Sequence, residues 1–458
     1  MITRTRIAVV LTGALLIALV LRQAGLVSLP FVGSPERPPG PLIAGARGRI
    51  AAVRDGDLWT VDLRSGVERQ LTQTGGVTAP RLSGSGAWIA FEREGQLWII
   101  RTDGKGASAV PGADQPQSAT WAPRASRLAF ASRDGSLSTL DPAAGDKGRR
   151  VIVPAGSGVG STLVWSSEGN RLAYERHQRV SGQVSNEAIW TITAAGNDAL
   201  PVYVASGDFS LSLCCWTYRS GFVLFWQGGN ANSSTLAAPD GLPLFLARAT
   251  SSQPISVADA VLLHRFWQDA APRSDGMALV TGGGRNATEN KQLVVAEPRA
   301  VAGNRIVVDV LSLETGGAPA SPAWAPVNST GPATLAYSAG TSLLASGGDL
   351  AASLAGRRIW LTPADGKDKR LLLADATVPA GVSDDRPMWA RDGKTLIFVR
   401  RLSPETSVRG GGQRAGAELW VSSAEGGTAR RVTGGLPDPG LGAGGVIDWA
   451  QVFDYYPG

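Results

Sequence analysis

The side chains best suited to chemistry are few and scattered. Histidine occurs only as His177 and His264, and two imidazoles far apart in the chain cannot supply a three-histidine metal set. Cys214 and Cys215 are adjacent, which excludes CxxC spacing. Neighbours in a strand point to opposite faces, so two unpaired, small apolar residues are expected there. No G-x-S-x-G occurs, and with it goes the nucleophile elbow of an α/β-hydrolase. Residues 440–445 (GLGAGG) fit G-x-G-x-x-G, but they follow Pro437 and Pro439 and lead into one last apolar segment rather than a helix. A flexible connection is expected instead of a nucleotide site. Gly393, Lys394 and Thr395 imitate the end of a phosphate-binding loop, yet Met388 stands where its first glycine is required.

The Asp-Gly pairs beginning at Asp55, Asp103, Asp134, Asp365 and Asp392 might suggest calcium or acid–base work. Their regular placement between apolar runs is what tight turns demand. Asn232, Asn286 and Asn328 open N-x-S/T triplets, which matter only where exported proteins are glycosylated. No catalytic set, metal or cofactor is therefore expected. Binding chemistry is left to basic clusters in two segments: Arg176, His177 and Arg179 within 175–187, and Arg400, Arg401, Arg409 and Arg414 within 400–417.

The elements that must position these residues are strands. At 458 residues, with 43% hydrophobic and 18% charged positions, the chain can bury a sizeable core. From about residue 49 a pattern recurs: an apolar strand ending in Trp, a turn, a second strand, a loop, a third strand ending Leu-Trp or Ile-Trp, and a fourth strand. The first two strands are clearest at 120–130 (TWAPRASRLAF), 164–174 (VWSSEGNRLAY), 323–337 (AWAPVNSTGPATLAY) and 388–398 (MWARDGKTLIF). Third strands read DLWTVD, QLWII, AIWTI, RIWLT and ELWVS. Trp121, Trp165, Trp216, Trp324, Trp389 and Trp449 fill the first-strand place and Trp59, Trp98, Trp190, Trp360 and Trp420 the third, eleven of the fourteen tryptophans. Trp at fixed repeat positions reads as packing between stacked sheets. Strand alternation without helical periodicity excludes a βαβ unit.

The first copy, 49–72, lacks its Trp-bearing first strand, while 445–453 (GVIDWAQVF) is a first strand with nothing after it. Pairing the two closes a ring and removes its open edges. The expected fold is all-β, a β-propeller of about eight four-stranded blades; degenerate copies near Trp216 and Ala271 leave seven as the alternative. The run W-S/A-P-x-G-x-x-L-A-F followed by L-W resembles the repeat of the TolB-like (WD-like repeat) β-propeller family. The resemblance covers nearly everything after residue 48 and implies a propeller that binds proteins or ligands, here without a separate α/β domain.

Ahead of it, residues 7–21 (IAVVLTGALLIALVL) are apolar between Arg4 and Arg6 on one side and Arg22 on the other. The basic flank predicts a cytoplasmic N-terminus and an exported remainder. No small-residue cleavage site follows closely, so residues 1–32 are expected to be an uncleaved signal-anchor, with a cleaved signal peptide as the alternative. Residues 33–48 form a Pro/Gly-rich spacer and 49–458 the propeller.

Loops between second and third strands must share one face of a propeller, and here they are the long ones. With the arginines above they point to an anionic protein or envelope polymer. The 44 basic and 38 acidic residues are interspersed, giving net charge +6 without the concentrated basic face that nucleic acid requires. A non-catalytic, membrane-tethered scaffold of the cell envelope is the leading expectation. The alternatives are a propeller-type polysaccharide lyase or hydrolase, or a ligand-sensing domain.

Overall fold

The computed structural model describes residues 46–180, 183–206, 209–219, 221–230, 241–248, 254–263, 268–271, 274, 276–282, 291–301, 305–313, 315, 317–326, 333–340, 356–402, 416–440 and 447–458. The apolar segment 7–21, most of the spacer, His264, Arg409, Arg414, the three N-x-S/T sites and most of the glycine-rich 440–445 lie outside them, as does the side chain of Arg179. Among the described residues no helix is long and apolar enough to cross a membrane.

The strands join into antiparallel sheets, six of them four-stranded; a longer one divides into two four-stranded groups held together by the single pair Val261 and Thr281. The innermost strands of the resulting eight groups, in ring order, are Phe453–Tyr456, Val77–Leu82, Ser118–Trp121, Val159–Trp165, Phe209–Trp216, Gln268–Ala270, Gly317–Trp324 and Ser383–Trp389. These groups are called the first to eighth sheets. Asp-Gly turns connect their strands as expected. Asp55 and Gly56 both take positive φ (50° and 78°), and the Asp134 and Asp392 carboxylates accept N–H groups two residues on.

Separate apolar cores fill the junctions between successive sheets. Leu128 and Phe130 of the third sheet meet Ala90 and Ile99 of the second, and Leu211 and Leu213 of the fifth meet Ala173 and Ile189 of the fourth. At the junction that closes the circle, Ile50 and Val61 pack with Ile397, Leu419, Trp449 and Phe453. Each sheet touches the next and the eighth touches the first, an all-β arrangement consistent with a β-propeller.

The tryptophan repeat has a directional reason. Trp121, Trp165, Trp216, Trp324 and Trp389 end their inner strands opposite Leu128, Leu172, Val223, Leu335 and Leu396, so they hold one slot in the repeat. In four of them the indole N–H donates to the carbonyl just before the corresponding slot of the preceding sheet: Trp121 to Arg81 (2.9 Å), Trp165 to Thr120 (3.2 Å), Trp216 to Val164 (3.2 Å) and Trp389 to Ala323 (2.9 Å). Each indole thus fills a junction core and staples two sheets by one bond.

The ends differ in detail from the expectation. The first sheet is completed by the C-terminus, but the closing strand is Phe453–Tyr456, later than 445–453, with Tyr455 opposite Ile50 in the slot. Trp449 sits before it in a 3-10 turn whose first N–H groups are capped by Asp448. Its ring fills the closing core, which is the property that made it look like a slot residue. Cys214 and Cys215, expected unpaired, form a vicinal disulfide. The inner strand shifts register between Leu213 and Cys215, so strict alternation of faces fails there.

A second irregularity recurs on the inner strands. Ala79, Ser321 and Arg386 have φ of 49°, 50° and 49°, each directly before a proline: Pro80, Pro322 and Pro387. In all three strands the register slips across this pair. Such bulges occupy the free edge of each sheet, where a proline costs no ladder bond.

Candidate functional site

The segment 175–187, expected as a loop, is mainly a hairpin of the strands Arg171–Val180 and Gln183–Thr193. It carries Arg176 and His177 to a groove of about 860 Å³ between the third and fourth sheets. Arg133, Asp134 and Gly135 line it from the turn between second and third strands of the third sheet, Gly156, Ser157 and Gly158 from the connection between the two sheets, and Trp190 from the next strand. All these belong to the face that bears second-to-third-strand loops.

Arg176 is ordered by two contacts: Nε donates to the Ser157 carbonyl at 2.7 Å, and the guanidinium lies 5.0 Å from the Trp190 ring centre. The His177 N–H donates to the Gly158 carbonyl at 2.8 Å, and a Cβ on Gly158 would run into the His177 carbonyl, so a glycine is needed for this approach. The imidazole lies between two carboxylates, 3.8 Å from Glu175 and 3.4 Å from Glu187. Both are buried and accept backbone N–H groups of the fifth sheet's inner strand, Glu175 from Leu213 at 2.6 Å and Glu187 from Leu211. Burial pushes the Glu175 carboxyl up to about 7, against the lowering effect of the Leu213 N–H and His177. Arg133 is exposed at the groove edge, where it reaches the Gln115 side chain.

The other predicted arginines are placed differently. Arg400 is buried at 4% exposure on the strand Thr395–Arg401, with bidentate bonds of 2.7 and 2.8 Å to Asp384 and its guanidinium 4.4 Å from the Trp420 ring centre. It therefore presents no free charge at a rim. Arg401 donates to Asp438 at 2.8 and 3.1 Å. Arg176 and Arg400 turn out to be two copies of one position. Arg54 over Trp59 (3.7 Å) and Arg93 over Trp98 (3.9 Å) repeat it, each arginine lying two residues beyond the one that faces the third-strand Trp. The signal was in the sequence, as Val53-Arg54, Glu92-Arg93, Glu175-Arg176 and Val399-Arg400 each follow the apolar run of a second strand. Trp59, Trp98, Trp190 and Trp420 are accordingly half-buried platforms for arginine, distinct from the buried slot tryptophans. Arg133 and Trp190 were not linked to binding by sequence, since neither stands near another basic residue in the chain.

A second concavity, about 790 Å³, follows the axis of the ring along inner strands of several sheets, with Arg81, Trp121, Cys214, Arg386, Asp454 and Tyr455 in its wall. Burial raises the Asp454 carboxyl, which accepts the Leu82 N–H at 2.7 Å and lies near Arg386 and Arg81. Among the described residues no group of three or more His, Cys, Asp or Glu side chains is placed to hold a metal ion.

No family model and no curated protein matches the chain. Solved structures with similar strand arrangements include an oligogalacturonate lyase in complex with manganese (14% identity, 82% of this chain and 98% of that one, TM-score 0.45). A protein named as a TolB from Agrobacterium tumefaciens aligns at 11% identity over 85% and 91%, TM-score 0.32. The β-propeller domain of the Trilobed protease from Pyrococcus furiosus aligns at 8% over 78% and 97%, TM-score 0.41. These likenesses concern the fold and carry nothing on activity. Its sheet order and ring of junction cores are an all-β arrangement consistent with a β-propeller, and its repeat resembles that of the TolB-like family.

Proposed function

We propose that the protein is an eight-bladed, non-catalytic scaffold held on the extracytoplasmic side by its N-terminal segment, and that it takes an anionic protein segment or envelope polymer in the groove between third and fourth sheets. The observation that carries this reading is the gathering of Arg133, Arg176 and His177 around one groove of that face. Arg176 is pre-ordered by Trp190 and Ser157, so binding loses little side-chain freedom there. Arg133 supplies the exposed, salt-sensitive part of the attraction.

The test uses poly-L-glutamate and an anionic polysaccharide as probes, with binding measured across salt concentrations. Arg133→Glu should weaken binding about two- to fivefold, the size of an exposed charge contact, and reduce its salt dependence. Equal binding by wild type and variant would overturn the groove assignment. Cell fractionation addresses the tether separately: full-length protein is expected in membranes, and a soluble form beginning between residues 25 and 47 would overturn it.

A further inference from the structure

We propose that the outer strand of the sixth sheet, Arg305–Leu313, pairs edge to edge with the same strand of a second copy of this chain, giving a closed two-fold dimer. The surface belongs to a different sheet from the anionic groove, and the proposal does not depend on that groove.

Every sheet of the ring has a far edge on its fourth strand, and an unpaired edge is a template for a further strand unless something blunts it. Seven of the eight outer strands are blunted. Those of the first and seventh sheets are only three and two residues long. Those of the second, third, fourth, fifth and eighth sheets pair with their neighbours through register slips. Three of these also carry a proline: Pro111, Pro201 and Pro437.

Arg305–Leu313 (RIVVDVLSL) has none of these devices. Its nine residues pair with Gln292–Val301, from Val301 opposite Arg305 to Leu313 opposite Leu293, without a slip, a proline, a glycine or a left-handed residue. Among the described residues no strand pairs with its other side. Neighbouring side chains of a strand point to opposite faces. Val310 and Leu311, exposed at 49% and 47%, therefore put apolar surface on both faces of this edge. Asp309, the one acidic residue of the strand, is bonded at 2.8 and 3.3 Å by Arg299 of the adjoining strand, so its charge is already matched and does not guard the edge.

A second copy fits this edge for two reasons. The open edge occurs once in the described chain, so self-pairing uses it up in both copies and stops at two, as an isologous interface does. Antiparallel pairing about Val310 sets Val310 against Val310 and Asp309 against Leu311, which covers the exposed apolar pair and brings no like charges opposite one another. One strand a side falls well short of a standard interface of about 20–30 residues a side, so the dimer is weak and depends on concentration.

The test follows full-length protein in detergent micelles by sedimentation across protein concentration, beside a variant that combines Val310→Lys with Leu311→Lys. Wild type should shift to dimer as concentration rises. The two lysines, at exposed positions, should weaken dimerisation by about tenfold or more and leave the melting of the monomer unchanged. Oxidative cross-linking reads the register: Val310→Cys should give a symmetric dimer adduct, whereas wild type should not, nor should Val151→Cys, which is 50% exposed on the bulged outer strand of the third sheet. Association that the two lysines leave unchanged would place the contact elsewhere, as in the apolar N-terminal segment, and overturn the proposal. So would a chain that stays monomeric throughout, equal cross-linking of Val151→Cys and Val310→Cys, or capture of a different polypeptide by Val310→Cys in cells in place of the symmetric adduct.

Discussion

Trp165 and Trp324 occupy the same place in the repeat and differ by one bond. Trp165 donates to the Thr120 carbonyl of the sheet before it, whereas Trp324 follows a sheet whose inner strand is three residues long and finds no acceptor. The difference separates a run of sheets stapled by indoles from a junction held in another way. There Asp269 accepts the backbone N–H of the next slot, and the same exchange occurs between the first and second sheets, where Asp454 accepts the Leu82 N–H. A side-chain carboxylate takes the place of the indole bond at these two junctions, so a polar tie between neighbouring inner strands is kept there by a second chemistry.

The largest expected effect comes from removing the closure altogether. Deleting residues 447–458 takes away Trp449, Phe453 and the partner strand of Arg49–Arg54, exposing the edge of that strand in the first sheet. Loss of one well-buried large aromatic alone costs about 3–5 kcal/mol. Aggregation or rapid proteolysis of the truncated chain is expected, and a truncated protein that melts with the full-length one would refute the ring.

An intermediate effect is expected where stapled and irregular regions meet, at the Glu175 clamp on the fifth sheet. The folded carboxyl titrates near 7, above its ordinary value of 4.5, because burial disfavours its charge. The folded state therefore holds a proton that the unfolded chain has lost. This contribution to stability is fully present below about pH 4.5 and is lost as pH rises through about 7. The groups facing the carboxyl are His177, Glu187, Thr162 and the Leu213 N–H. Glu175→Gln, which can still accept from Leu213, should flatten the slope of stability between those pH values; denaturant melts at several pH values measure it, and an unchanged slope would reassign the titration.

The smallest effect sharpens the comparison most directly. Trp165→Phe and Trp324→Phe remove similar volume, but only the first breaks a hydrogen bond and orphans a carbonyl. The first should cost about 1 kcal/mol more than the second. Equal costs by chemical denaturation would mean that the indole bonds are incidental to packing.

The sequence located the inner strands that end in Trp121, Trp165, Trp216, Trp324 and Trp389 to within a few residues, because a slot residue must be large, apolar and followed by a turn. It misassigned Trp449, since a ring that fills the same core from a preceding turn has the same composition signature. It also read Arg400 as a rim charge, because a strand-ending arginine next to a long segment looks exposed until its partner Asp384, brought alongside by strand pairing, is known. Arg176 and His177 were legible as a pair, but the groove around them was not. Its other walls come from a turn and a connection that only the ring brings together. The vicinal bridge of Cys214 and Cys215 depended on a register slip that no residue in the segment announces.

The prolines behind the left-handed residues Ala79, Ser321 and Arg386 have a consequence for assembly. The inner strand of each sheet is an edge facing the axis of the ring, and an unblocked edge invites an extended segment to add itself as a further strand. Pro80, Pro322 and Pro387 remove a donor from that edge, and the kink before each breaks the regular spacing an incoming strand would have to match. At these three inner strands the residues that shape the wall of the axis therefore also make the edge a poorer template for an added strand.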